Sequence, residues 1–386
     1  VDAGDIKGMI FKKNTRLQPA KLPRFALLPS IGYNPSMGFI IGAKMSAGIQ
    51  KGNTENTNYS LVGLEALYGS NGIITVQVRH NIFTAANSWN LQGNWQISKY
   101  GQVDYGLGTG NSPYRSRGFI IDEYPTKNGD SAFPIKYNYL RLLEKVYHKI
   151  ANHLYAGVGI SFDIYGKIAD ERKTGIFTTP HNRYSTKHGI DPAKYAANAW
   201  LLNLQYNTRE HPVRSYGGLY ADLSLRFNQE WLGSTLNAVQ LQYDVRKYWR
   251  LSKKHPAHVI ALWHWANYRL EGTVPYLFLP CTASDTYNRS GRGYTLGRFK
   301  GPSFAYFETE YRFPVTQNDL ISGVCFFNLQ TASNDRNKKL FNAWEPAAGA
   351  GLRILLQKQN RTTICIDYAM GHYGSNGIFF GLNEAF

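Results

Sequence analysis

The residues best suited to chemistry lie in "RSGRGYTLGRFKG", residues 289–301, which holds three arginines, one lysine and four glycines but no acid. The strand-like run after it, "PSFAYFETEYRFPV", alternates so that Glu308, Glu310 and Arg312 share one side and Phe307, Thr309, Tyr311 and Phe313 the other. An arginine carries a permanently charged planar fork of donors that matches carboxylates bidentately. The glycine after Arg292 frees the backbone for a tight turn. The chemistry on offer is therefore fastening, a loop pinned to a strand by ion pairs, rather than turnover.

Catalytic patterns are missing from the sequence. It has no His-Glu-x-x-His, no Gly-x-Ser-x-Gly and no phosphate loop. His258 and His264 can share a strand face, but no serine or acid beside them forms a recognisable triad. Cys281, Cys325 and Cys365 lack metal-type or disulfide-framework spacing. The reading is of a protein that is not an enzyme and needs no metal or cofactor.

The elements that must position the loop have period two. In "HLYAGVGISFDIYG", Leu154, Ala156, Val158, Ile160, Phe162 and Ile164 oppose Tyr155, Ser161, Asp163 and Tyr165. "WLLNLQYNTR", "AVQLQYDVR" and "TTICIDYAMG" alternate in the same way, with Arg209, Arg246 and Asp367 on the polar faces. Such runs exceed the roughly 5–6 residues of soluble strands and match the roughly 9–11 that cross a bilayer as a barrel. About sixteen strands are predicted, near 24–33, 38–49, 56–69, 72–84, 87–100, 132–147, 150–166, 197–209, 215–229, 234–247, 256–269, 302–314, 319–331, 344–358, 361–372 and 375–386. No stretch of helical period stands out. Every second connection is short, and the others include the long ones at 101–131, 167–196 and 270–301, the pattern of short periplasmic turns and long outer loops. The fold class is all-β, a transmembrane antiparallel barrel over 24–386 behind a short segment 1–23. Mean hydropathy is −0.37, as expected when only alternate side chains meet lipid. The +17 charge is spread along the chain without a basic helix, zinc or RNA-binding signature. That excludes nucleic acid and suits lipid phosphates or a cationic lumen lined by Arg209, Arg226, Arg246 and Arg353.

From residue 24 onward the chain resembles the outer-membrane assembly barrels of BamA/TamA type, the bacterial surface antigen superfamily. The resemblance rests on the opening hairpin "LLPSIGYNPSMGFIIGAKMSA", the "VDYGLGTG" strand end, "LQYNTREHPVRSYGG", and "AAGAGLRILL" with Gly349, Gly351 and Arg353. It also rests on the terminal "GIFFGLNEAF". It implies that Arg292-Gly293-Tyr294 is the tip of a sixth outer loop folded into the lumen, ahead of the strand with Glu310, Arg312 and Pro314. A second Arg-Gly-Phe, Arg117 to Phe119, lies in the third outer loop. The family's usual inward acid on the next strand is Asn328 here, which moves the expected partner of Arg292 to Glu308 or Glu310. Ile378, Phe380, Leu382 and Phe386 are expected on one face, as the signal for barrel insertion.

The resemblance further implies a weak seam between the first and last strands, where Gly381 loosens pairing. The implied function is assisting insertion or translocation of proteins or lipids at the bacterial outer membrane. A loop-gated pore for ions and small solutes is the alternative, and a barrel anchoring a partner the third. Expected partners are outer-membrane lipids, possible lipopolysaccharide, and a client or separate periplasmic protein. Only about 23 residues precede the first strand, too few for a POTRA domain, so a POTRA-less branch is expected.

Overall fold

The computed structural model describes residues 24–34, 38–49, 57–70, 72–110, 133–170, 178–316, 318–357 and 361–386. Its strands are β1 (Arg24–Asn34), β2 (Gly38–Ile49), β3 (Ser60–Gly69), β4 (Ile73–Phe83), β5 (Trp89–Asp104), β6 (Phe133–Ala151), β7 (Leu154–Asp170), β8 (Tyr195–Ala196) and β9 (Ala199–Asn207). They continue as β10 (Gly218–Asn228), β11 (Ala238–Arg250), β12 (Val259–Gly272), β13 (Phe304–Pro314), β14 (Ile321–Ala332), β15 (Glu345–Gln357), β16 (Thr362–Gly371) and β17 (Asn376–Leu382). All sixteen long strands expected from the alternation are present. β8 is a two-residue addition that pairs with β7 at Ile164 and Tyr165.

Each long strand pairs antiparallel with the next, β7 passing directly to β9, so the sheet winds round as one meander. Among the described residues no ladder joins β1 to β17, and the barrel is nearly closed with a seam between them. The strand ends that lead into the long connections after β5, β7 and β12 lie at one end of the barrel. The tight turns, such as the two residues between β6 and β7, fall on the other.

Burial is inverted relative to a water-soluble protein. Phe39, Ile97 and Phe380 are 66–69% exposed, whereas Gln240, Asn328 and Gln330 are fully buried. Outward apolar side chains with inward amides and charges are what a lipid solvent selects. An outward polar cluster departs from the rule. His80, Gly93 and Glu144 lie in register across β4, β5 and β6, and the missing side chain of Gly93 lets His80 Nε2 approach Glu144 Oε2 to 3.2 Å. Trp95 Nε1 donates to the same carboxylate oxygen at 3.2 Å.

One helix, α1 (Pro180–Lys187), corrects the expectation of none. It is too short and too polar to show a helical stripe. Its local signals are nonetheless present: Thr179 accepts from Asn182 N at 3.1 Å, and proline stands at the first position. Buried Tyr184 reaches out from it to donate to the Val274 carbonyl at 3.1 Å. With Tyr137, Tyr165, Tyr195 and Tyr276 it forms an aromatic cap between the long outer loops.

Candidate functional site

The connection between β12 and β13, the sixth on the outer side and here called loop 6, turns back into the lumen. A bridge between Cys281 and Lys300 closes its neck. Asp285 gathers the tip by accepting from Arg289 N at 2.8 Å and Ser290 N at 2.7 Å. Gly291 (φ +81°) and Gly293 (φ +101°) hold left-handed turns that push Arg292 outward from the loop. A Cβ on Gly293 would also meet the Ala347 Cβ at 2.8 Å.

The Arg292 guanidinium lies buried against three carboxylates. It donates to Asp367 Oδ2 at 2.8 Å and pairs with both Glu308 and Glu310. Its plane sits 3.6 Å over the Phe326 ring. Asn328 binds this loop through the backbone, donating from Nδ2 to the Arg292 carbonyl at 2.9 Å. Tyr294 donates to the Pro346 carbonyl at 2.6 Å and accepts from His372 N at 2.8 Å.

The Gly-x-Gly-x-Arg run of β15 has a steric reason. A Cβ on Gly351 would lie 1.8 Å from Asp367 Oδ1, and one on Gly349 would lie 2.4 Å from the Phe326 ring. The two glycines vacate the space that the acid and the ring beneath Arg292 occupy.

The cluster extends toward the other end of the barrel. Glu310 also accepts from Arg312 Nε at 2.7 Å, and Asp367 accepts from Arg353. Arg353 Nε donates to Glu384 at 2.7 Å, and Arg214 lies 3.2 Å from the same residue. Four arginines (214, 292, 312, 353) thus face four acids (308, 310, 367, 384), all buried. Equal numbers matter because an unpaired charge at such depth costs several kcal/mol.

One expectation needs correction here. The residues Ile378, Phe380, Leu382 and Phe386 do not share one outward face. Ile378 and Phe380 point outward, but Leu382 and Phe386 are buried. The strand stops at Leu382 and Asn383 turns left-handed (φ +72°). Glu384 then follows its arginines inward, and Phe386 packs 5.2 Å from the Trp263 ring. Arg312 donates to the Phe386 carbonyl at 2.9 Å. Arg289 of loop 6 binds the carbonyls of Leu382, Asn383 and Glu384, the Asn383 contact at 2.6 Å.

The arginines expected to line the lumen are engaged in separate places. Arg353 joins the Arg292 cluster. Arg226 pairs instead with Asp163 at 3.1 Å, and Arg246 with Asp244 at 2.5 Å. Half-buried Arg209 stacks on Tyr220 at 4.1 Å. Arg117, Gly118 and Phe119 lie outside the described residues, as does segment 1–23.

Sequence reasoning missed Arg214, Arg289, Asp367 and Glu384 as parts of the site. Asp367 carried a usable signal in its inward place in "TTICIDYAMG", and Arg289 in its place beside the loop tip.

The turn that carries Arg214 is acid-sensitive by construction. Burial, and then the charge of Arg361, depresses His211 to a pKa of about 3. Its Nδ1 accepts from Val213 N at 3.2 Å, as a neutral imidazole can. An unfolded histidine titrates near 6.5. Stability from this group is therefore complete above that pH and declines as pH falls from about 6.5 toward 3. Wild-type barrel is expected to lose thermal stability over that window, and His211→Gln to flatten the loss, read as the midpoint of heat-induced mobility shift on gels.

The Omp85 superfamily domain matches residues 41–386. The chain belongs to the Omp85 superfamily. Its fold is similar to that of "BamA from Haemophilus ducreyi lacking POTRA domains 1-3", with TM-score 0.55 and 14% identity over 94% of this chain and 70% of that one. It is also similar to CdiB from Acinetobacter baumannii, with TM-score 0.52 and 12% identity over 93% of this chain and 59% of that one. No curated protein matches it significantly by sequence. This Omp85 barrel is an outer-membrane protein, and no helix among its described residues is long and apolar enough to cross a membrane.

Proposed function

We propose that this Omp85 barrel assists the insertion or translocation of polypeptide at the outer membrane by strand addition at the β1–β17 seam. The observation that carries the reading is the unzipped edge. Among the described residues β17 is ladder-bonded to β16 only, over Ile364–Met370, and the chain leaves the wall at Asn383. An edge with unpaired N–H and C=O groups is a template for an incoming strand. Loop 6 and the tail turn into the lumen behind that edge and are tied to the wall through the charge cluster. Their presence weighs against a standing pore, and clients or a separate periplasmic protein are the partners this reading requires.

The test is a lock. After Cys281, Cys325 and Cys365 are replaced by alanine, cysteine pairs are screened between Ser30 or Leu28 of β1 and Phe379 or Gly381 of β17. The oxidised barrel is expected to stay folded yet fail to insert an unfolded β-barrel client into proteoliposomes, and to recover on reduction. A locked barrel that inserts the client at the reduced rate would refute the proposal.

A further inference from the structure

A cavity of about 640 Å³ lies beside the seam, between loop 6, the inner wall of β2–β4 and β17. That is the size of a small-ligand site. Its wall has two halves. On the polar half Lys44 Nζ lies 2.9 Å and Arg79 3.9 Å from Glu65, two cations sharing one acid. Arg79 Nε is buried without a hydrogen-bond partner among the described residues. Arg289 also borders the space, but its terminal nitrogens are engaged by the tail carbonyls. On the apolar half stand Phe379 and Leu382, together with Ile378 and Phe380, which face outward at more than 60% exposure. The cavity therefore touches both the lumen and the lipid face of β17, at the edge that carries no ladder among the described residues.

We infer that this cavity binds one anionic amphiphile, its phosphate held by Lys44 and Arg79 and its acyl chain leaving through the seam into the bilayer. The inference rests on the open seam of the proposed function and adds a lipid to it. Two cations that share one acid suit a phosphate. The adjoining apolar wall would be left without purpose by inorganic phosphate. A client strand would take the backbone edge and make no use of the inward cations.

The purified chain in neutral detergent is titrated into fluorescent phosphatidylglycerol and into phosphatidylcholine of the same chains, read by anisotropy. Saturable binding of the anionic lipid is expected, at least about tenfold tighter than the neutral one, since charged hydrogen bonds contribute of that order. The double variant Lys44→Gln/Arg79→Gln should abolish that preference. Gly381→Leu has room for its Cβ, 3.8 Å from the nearest atom, and should weaken both lipids by filling the cavity. Millimolar inorganic phosphate should not displace the lipid. Equal affinity for the two lipids, or variants that bind like wild type, would overturn the inference, and displacement by phosphate would reassign the site to the free anion. Heat-modifiable mobility checks folding, and Gly381→Leu still decides if the double variant does not fold. Loss of lipid binding with client insertion intact removes only the lipid. Insertion lost while lipid binding persists removes only the proposed function.

Discussion

Replacing Arg292 with methionine is expected to destabilise the barrel by about 3–5 kcal/mol and to release loop 6 from the lumen. The reasoning is electrostatic. Glu308, Glu310 and Asp367 converge on that one guanidinium, and methionine keeps much of its bulk and its contact with Phe326 but none of its charge. Glu310 and Asp367 retain Arg312 and Arg353, so Glu308, held otherwise among the described contacts by the Tyr306 hydroxyl, is the group left exposed to the full desolvation cost. Arg292→Lys should recover only part of the loss, because a point charge cannot address three carboxylates and a ring at once. Two readings separate release from global unfolding. The midpoint of heat-induced mobility shift should fall, and trypsin should cut at Arg289 and Arg298 while the strands stay protected. Loop 6 equally resistant in Arg292→Met would show that the cluster does not hold it.

Glu384→Gln is expected to act at the other end of the cluster, at about 3 kcal/mol, by freeing the tail rather than the loop. Arg353 and Arg214 both lean on this carboxylate, and Arg214 has no other acid beside it among the described contacts. A native reporter lies alongside. The buried Cys365 thiol donates to the Asn383 carbonyl at 2.9 Å, beneath the turned-in residues. With Cys281 and Cys325 replaced by alanine, maleimide labelling of Cys365 should be negligible in the parent and rapid in Glu384→Gln. Trypsin resistance of loop 6 should meanwhile persist. Labelling that stays slow would mean the tail is held by packing on Trp263 and Tyr248 instead of by charge.

The barrel was legible in the sequence because lipid and a wet lumen force every second side chain to change character, and that rhythm survives without any tertiary information. Strand faces read from "AVQLQYDVR" or "TTICIDYAMG" are those of the folded protein, down to Asp244 and Asp367 pointing inward. The inward placement of Glu308, Glu310 and Arg312 came from the same rhythm. The partnering of Arg292 with Asp367 did not. Asp367 reaches Arg292 from three strands away, through space that Gly349 and Gly351 vacate, and no spacing along the chain encodes that meeting. Arg214 and Glu384 were invisible for a different reason: both lie beyond strand ends, where alternation stops. The misplacement of Phe386 has the same origin, since continuing the rhythm past Leu382 assumed a strand that Asn383 terminates. The helix over Pro180–Lys187 carried its capping residues openly, but eight mostly polar residues show no stripe for periodicity to find.

The seam itself can be read most directly by amide hydrogen exchange on the purified barrel in lipid nanodiscs, strand by strand. With no ladder between β1 and β17, their facing edge amides should exchange within minutes, while those of β5–β7 and β11–β14 stay protected for hours or longer. Protection of β1 and β17 equal to that of their neighbours would mean the barrel is zipped shut, and the proposed route for an incoming strand would not exist.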